Sequence, residues 1–165
     1  MDMMNEQLQD TYGEGTDEMK DKYLTFLTDG QVFAIPIADV MQIVQMQKIT
    51  PIPEFPMYAK GVIDLRGSMI PVVDLRCRLG RMELEYDAHT CIIVMSINGS
   101  LVGLIVDSVD EVARIEQENI CPPPALGTDT TSRFLQGLGK TPDGVVLLLA
   151  IERVIGEDIY SAFSV

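Results

Sequence analysis

Few side chains in this sequence could do chemistry. The single histidine, His89, stands beside Asp87 in a charged stretch. A general base needs a nucleophile held within reach, and no serine or cysteine pairs with His89 in an identifiable pattern. His89 is therefore read as an exposed residue. Cys77, Cys91 and Cys121 lie in or beside apolar segments, far apart in sequence. No two of them have metal-ligand spacing, and thiols so placed act as small hydrophobes in a reducing compartment. Gly139-Lys140-Thr141 ends like a phosphate-binding loop. However, Phe134 stands where that loop needs a glycine, and Pro142-Asp143-Gly144 prevents the helix that must follow. It is read as a loop over Gly139 to Gly144. Asp107, Asp110 and Glu111 lack the alternating oxygen ligands and central glycine of a calcium loop, and are read as a solvated turn. What remains is one charged group, Asp64, Arg66, Asp74 and Arg76. Interleaved opposite charges keep both acids ionised, which suits structure or binding better than proton transfer. With no nucleophile, base and oxyanion donor assembled, and no metal or cofactor motif, the chain reads as a binding module and not an enzyme. A ligand-binding barrel is the competing class, and it would need an enclosed polar cavity with convergent side chains. None is expected.

The elements that position this group follow from local pattern. Val62, Ile63 and Leu65 precede Arg66-Gly67-Ser68, and Met69, Ile70, Val72, Val73 and Leu75 follow. The sequence predicts a β-hairpin with Arg66 at its tip. Pro71 cannot donate to a ladder, so its strand belongs at an edge, a bulge or a strand start. Asp29-Gly30 and Asn98-Gly99 mark two further hairpin turns, because both dipeptides tolerate positive φ. Strands are predicted over Tyr23 to Leu27, Val32 to Ile37, Ala38 to Val44, Thr90 to Ile97, Leu101 to Val106, Val109 to Ile115 and Val145 to Ile151. Ile49 to Pro53 and Ile120 to Pro124 are extended, since each proline biases its predecessor away from helix. Glu54 to Lys60 is read as one helical turn, Arg78 to His89 as a charged connection, and Asp158 to Phe163 as a short closing helix. Met41, Met46, Met57 and Met69 are assigned chiefly to the core.

The chain also repeats itself. Phe26 to Leu75 resembles Val94 to Ile151: Asp29-Gly30 matches Asn98-Gly99, Val40 to Ile43 matches Val109 to Val112, Ile49 to Pro53 matches Ile120 to Pro124, and Gly61-Val62 matches Gly137-Leu138. Two copies of about five short strands each predict two small barrels, one per copy. The copies differ at one place, where Asp64-Leu65-Arg66-Gly67 faces Gly139 to Gly144.

Bulk properties set the limits. A hydrophobic content of 47% supports a real core, and a formal net charge of -13 argues against nucleic acid and anionic membrane as partners. Residues 1–22 hold seven acids against Lys20 and Lys22 and are expected to be a flexible acidic tail before a domain over 23–165. The N-terminus has neither the basic region nor the apolar core of a signal peptide, and no run approaches a membrane span.

Gly61 to Gly67, followed by Ile70 to Arg76, resembles the signature of the CheW-like chemotaxis coupling proteins. The resemblance extends to Pro53-Glu54-Phe55, Val106 to Val109 and Phe134 to Gly139, and covers about Tyr23 to Phe163. It implies an all-β fold of two pseudo-symmetric five-stranded SH3-like barrels with a short C-terminal helix, and no catalysis. It further implies a cytoplasmic adaptor, recruited to membrane-bound receptor arrays. There it would couple the cytoplasmic tips of transmembrane methyl-accepting chemoreceptors to the regulatory domain of a CheA-type histidine kinase, in two-component signal transduction. Ring assembly with kinase domains is part of the same implication, and a related pathway with another output, such as surface motility or development, is the alternative. Residue by residue, the family's receptor groove falls on Val40, Gln42, Asp64, Arg66 and Gly67. Gln42 stands where the family often has glutamate, which removes the charge assistance of an Arg-Glu bond. The family's kinase interface falls on Cys121 and Leu126.

Overall fold

The computed structural model describes residues 19–123, 131–156 and Ile159. Among these residues, eleven strands form two sheets. They are β1 (Lys22–Thr28), β2 (Gln31–Pro36), β3 (Val40–Gln45), β4 (Ala59–Leu65), β5 (Ser68–Asp74), β6 (Cys91–Ile97), β7 (Ser100–Val106), β8 (Ser108–Arg114), β9 (Ile120–Cys121), β10 (Leu135–Thr141) and β11 (Gly144–Leu149). Two short helices follow β5 and β11: α1 (Leu75–Arg78) and α2 (Ile151–Ile155). One sheet runs β8-β1-β2-β11-β10-β9, the other β3-β6-β7-β5-β4. The all-β, two-barrel architecture is the one expected.

The repeat does not map onto the barrels one to one. Each copy lends its first hairpin to the other copy's sheet: β1-β2 sits beside β11, and β6-β7 beside β5. The two seams are the molecule's parallel pairs among the named strands, β11 on β2 through Leu147 and Phe33, and β5 on β7 through Val72 and Gly103. Read strand for strand, β1, β2 and β3 correspond to β6, β7 and β8. The lone bridge of Thr50 to Val62 corresponds to β9, whose Cys121 pairs with Leu138.

This exchange explains the unbroken apolar runs. Strands β2 and β6 are covered on both faces, so alternation disappears from their sequences. Phe33 and Ile35 face the large core between the sheets, with Cys91, Ile93, Met95 and Ile97 opposite. Ala34 faces the small interior of one barrel, and Ile92 and Val94 that of the other. Burial pushes the Cys91 thiol up to about 11, consistent with a thiol used as a hydrophobe.

Pro71 lies in an internal strand, opposite Val62. The parallel ladder to β7 begins only at Val72, so the missing donor falls just before it. Gly61 has φ +142, and a Cβ there would lie 2.1 Å from the Thr50 carbonyl oxygen. Its counterpart Gly137 abuts the Cys121 carbonyl, at 2.9 Å from an added Cβ. Both glycines let the hairpin's first strand lie against its own proline-rich segment.

Some local expectations are corrected. Gly139 to Thr141 is strand and not loop, the end of β10, since Gly137 and Gly139 permit close packing inside the barrel. Glu54 to Pro56 leads through a turn at Met57-Tyr58 into β4, with no helix there. A helical turn missed by pattern, α1, is capped by the buried Asp74, which accepts from the Cys77 N–H at 3.3 Å. The Val145 to Ile151 run ends as strand at Leu149 and turns into α2. Of the predicted closing helix, Ile159 is buried in the main core, and Asp158 and Tyr160 to Phe163 lie outside the described residues. So does the tail as far as residue 18, whereas Met19 already packs on the core.

Asp107 is not a solvated turn residue. Arg76 grips it with two bonds, Nε to Oδ1 at 2.9 Å and Nη2 to Oδ2 at 2.6 Å, and reaches Asp29 at 3.4 Å. Arg81 joins from the other side, donating to Asp29 at 2.7 Å. The cluster ties the β1-β2 turn, the β7-β8 corner and the segment after α1. Burial pushes the Asp107 carboxyl up, but the bonds from Arg76 and from the Asp29 N–H outweigh it, and its pKa ends below the usual range. Arg78 performs a similar task nearby. Its guanidinium lies 3.9 Å over the Tyr58 ring, and it donates to the Val154 and Arg153 carbonyls at the end of α2.

Candidate functional site

The β4-β5 hairpin closes through Leu65 and Ser68, leaving Arg66 and Gly67 as a two-residue turn. Their φ values, 54 and 87, are both positive, as a type I′ turn requires. The same geometry recurs at Asp29-Gly30 and Asn98-Gly99. Asp and Asn tolerate the left-handed region because a short polar side chain can bond locally. Arginine has no such advantage, and the conformation costs about 1 kcal/mol. The turn is locked instead by its neighbour: Asp64 Oδ1 accepts the Gly67 N–H at 2.9 Å. Arg66 itself is exposed, and among the described residues nothing bonds its guanidinium.

The tip does not stand alone. Leu65 is half-buried on the barrel interior formed by Ile63, Ile70, Val72, Ile92, Val94 and Ile105. Val44, Met46 and Ile49 pack on that same cluster, so β3 and the hairpin tip share one floor. Strand β3 lies at the sheet's edge and carries a bulge between Val40 and Gln42, opposite Met95 and Val94. A bulge puts two residues against one and turns the extra side chain outward. Met41 is consequently 54% exposed, the same as Met69 beside the tip. The assignment of methionines to the core is thus overturned for Met41, Met69 and the open Met57, and holds in part for Met46.

Each expected site residue can now be located. Asp64, Arg66 and Gly67 form one exposed turn. Gln42 is half-buried on β3, at the opposite edge of the sheet from β4, and it makes no hydrogen bond with Arg66. Val40 is fully buried in the core between the sheets, so its side chain can support the groove from beneath but does not surface in it. Cys121 is exposed on β9, with its thiol 3.8 Å from the Leu138 carbonyl oxygen. It lies on the second barrel, in a different sheet from Arg66. Leu126 lies outside the described residues.

A polar pocket of about 200 Å³, partly open to solvent, lies beneath the segment after α1. Its polar groups already satisfy one another: the Tyr86 hydroxyl donates to Asp74 at 2.7 Å, Arg76 holds Asp107, and Asp87 accepts from Thr90. Burial first, and then that bond to Asp74, push the Tyr86 phenol far up. Among the described residues no cluster of histidine, cysteine or acid could hold a metal ion. No described helix is long and apolar enough to cross a membrane. The arrangement offers shape, an unpaired cation and adaptable thioethers, which is equipment for gripping another protein.

Comparison with known proteins agrees over most of the chain. The family model of the CheW-like domain matches residues 22–158. The chemotaxis protein CheW of Bacillus subtilis is 37% identical over 138 residues, covering 84% of this chain and 88% of that one. The CheW of Klebsiella aerogenes is 30% identical over 137 residues, covering 83% and 82%. Among solved structures, the scaffolding protein TtCheW from Thermoanaerobacter tengcongensis superposes with a TM-score of 0.76 at 36% identity, covering 82% of this chain and 92% of that one. From its sequence signature, its exchanged pair of barrels and these relatives alike, the chain belongs to the CheW-like family.

Proposed function

We propose that this protein is a non-catalytic adaptor that couples the cytoplasmic tips of chemoreceptors to a CheA-type histidine kinase. The observation that carries the reading is the Arg66 turn. An arginine held in the left-handed region, exposed and without a partner among the described residues, costs the fold energy and returns nothing to it there. Such a residue is retained for an external contact. Asp64 and Gly67 fix its backbone, and the groove is proposed to run from this turn, past the exposed Met69, to Met41 and Gln42 on the edge strand β3. Val40 supports that groove from the core.

The kinase regulatory domain is assigned to Cys121, on the second barrel, and to Leu126 after it in sequence. The exposure of Cys121 on the edge strand β9 supports this, because an edge strand offers unpaired backbone to a partner. Two contacts on two barrels let one chain hold both partners at once, in the cytoplasm beside the receptor array. Co-sedimentation with a receptor-tip fragment, and pull-down with the regulatory domain of the cognate kinase, test the two halves separately. Each wild-type interaction is expected to be detectable. A well-folded protein that binds neither partner overturns the reading.

A further inference from the structure

The segment between α1 and β6 joins the two repeats. A linker needs only polar residues. This one reads Met82-Glu83-Leu84-Glu85-Tyr86, apolar and acidic in strict alternation. The apolar members are exposed, at 79% for Met82, 52% for Leu84 and 39% for Tyr86. Period two is the signature of a strand with one apolar face, yet the segment belongs to neither sheet.

The Met82 carbonyl accepts from Arg76 Nη1 at 3.3 Å, and beyond it the main chain is free as well. No backbone N–H or C=O of Glu83, Leu84, Glu85 or Tyr86 bonds within the described residues. Both ends are nevertheless pinned. Arg81 is held by Asp29 at 2.7 Å, Gln31 at 2.9 Å and Thr131 at 2.8 Å. At the other end the Tyr86 hydroxyl donates to the buried Asp74 at 2.7 Å, and Asp87 turns back on Thr90 at 2.9 Å. Pinned ends and an unpaired middle give a segment that is ordered before it has a partner, which lowers the entropy cost of pairing. The charge of the segment is negative. Glu83 pairs with Lys60, whereas Glu85 has no cation among the described residues.

We infer that Met82–Tyr86 is a docking strand, and that its partner is a strand of another protein carrying lysine or arginine in alternation with apolar residues. Main-chain bonds to Glu83–Tyr86 supply the pairing, the exposed Met82 and Leu84 meet the partner's apolar side chains, and Glu85 sets its charge. The inference is independent of the receptor and kinase assignments, since it uses none of their residues.

The probe is a synthetic heptapeptide alternating valine with lysine, compared with a peptide of the same composition whose lysines are contiguous. Calorimetry and backbone amide exchange are measured on the full chain. The alternating peptide is expected to bind at least tenfold more tightly than the block peptide, and to slow exchange at Glu83, Leu84, Glu85 and Tyr86. Leu84→Pro removes a donor from an exposed position that bonds nothing internally, and Glu85→Lys reverses a charge. Each is expected to lower binding at least tenfold while circular dichroism stays unchanged. Equal binding of the two peptides, protection elsewhere, or unchanged binding by folded Leu84→Pro overturns the proposal. Self-association of the wild type that Leu84→Pro abolishes also overturns it, because the strand then pairs with another copy.

Discussion

The two repeats build the same hairpin and finish it differently. In β4-β5 and β10-β11 the first strand carries a glycine, Gly61 or Gly137, pressed against the carbonyl of Thr50 or Cys121. The second strand pairs in parallel with a strand borrowed from the other repeat. At the tips the likeness ends. The first is a tight turn locked by Asp64, with Arg66 left over. The second closes through Thr141, whose hydroxyl donates to the Gly144 carbonyl at 2.8 Å across Pro142-Asp143. What the repeats share is scaffold, and what only one of them has is a candidate for recognition. Substitutions in the shared body should therefore unfold the protein, and substitutions at the tip should leave it folded.

Gly61→Ala should do the most damage. The added Cβ meets backbone at 2.1 Å and demands φ +142 from an L side chain, so a loss of about 4 kcal/mol is expected in urea unfolding. Gly137→Ala has a milder clash at 2.9 Å and should cost about half as much. Equal losses would break the claim that the first copy is the more tightly constrained. Arg78→Ala removes a cation–π contact and leaves the Val154 and Arg153 carbonyls without their donor, for about 2–3 kcal/mol.

Arg76→Ala follows, at about 1–2 kcal/mol near neutral pH, because the pair is partly exposed. Its cost should depend on pH. The Asp107 carboxyl has its pKa lowered in the folded state, so the stability it contributes is full above the unfolded value, near about 4, and fades as pH falls through the folded value. Wild type and Arg76→Ala should thus converge in stability in acid. A gap that stays constant or widens would show that Arg76 acts through packing alone. The smallest stability change is expected at the tip. Arg66→Asn places a residue tolerant of positive φ in the left-handed site and should stabilise the protein by about 0.5 kcal/mol.

Much of this was legible in the residue order. Gly and Asn or Asp at fixed offsets announced two hairpins, and the matched segments announced the repeat. The Arg66 tip stood out because the second copy does not rebuild it. The exchange of hairpins between sheets was not legible, since the local pattern of β2 or β6 says that both faces are covered and not by which strand. The bulge that turns Met41 outward while keeping Val40 in the core shifts a period-two pattern by one residue, and the side chains on either side of the shift look alike. Asp107 could not be assigned because its partner Arg76 is distant in sequence. The alternation from Met82 to Tyr86 was present throughout but is masked by its charges, which make the stretch look like a plain linker.

The central claim is that Arg66 serves a partner and not the fold. The direct measurement is binding of a receptor-tip fragment by Arg66→Asn, alongside its urea unfolding curve. Binding should fall at least tenfold while the unfolding midpoint stays level or rises. Unchanged binding, or a variant that loses stability as it loses binding, would contradict the account.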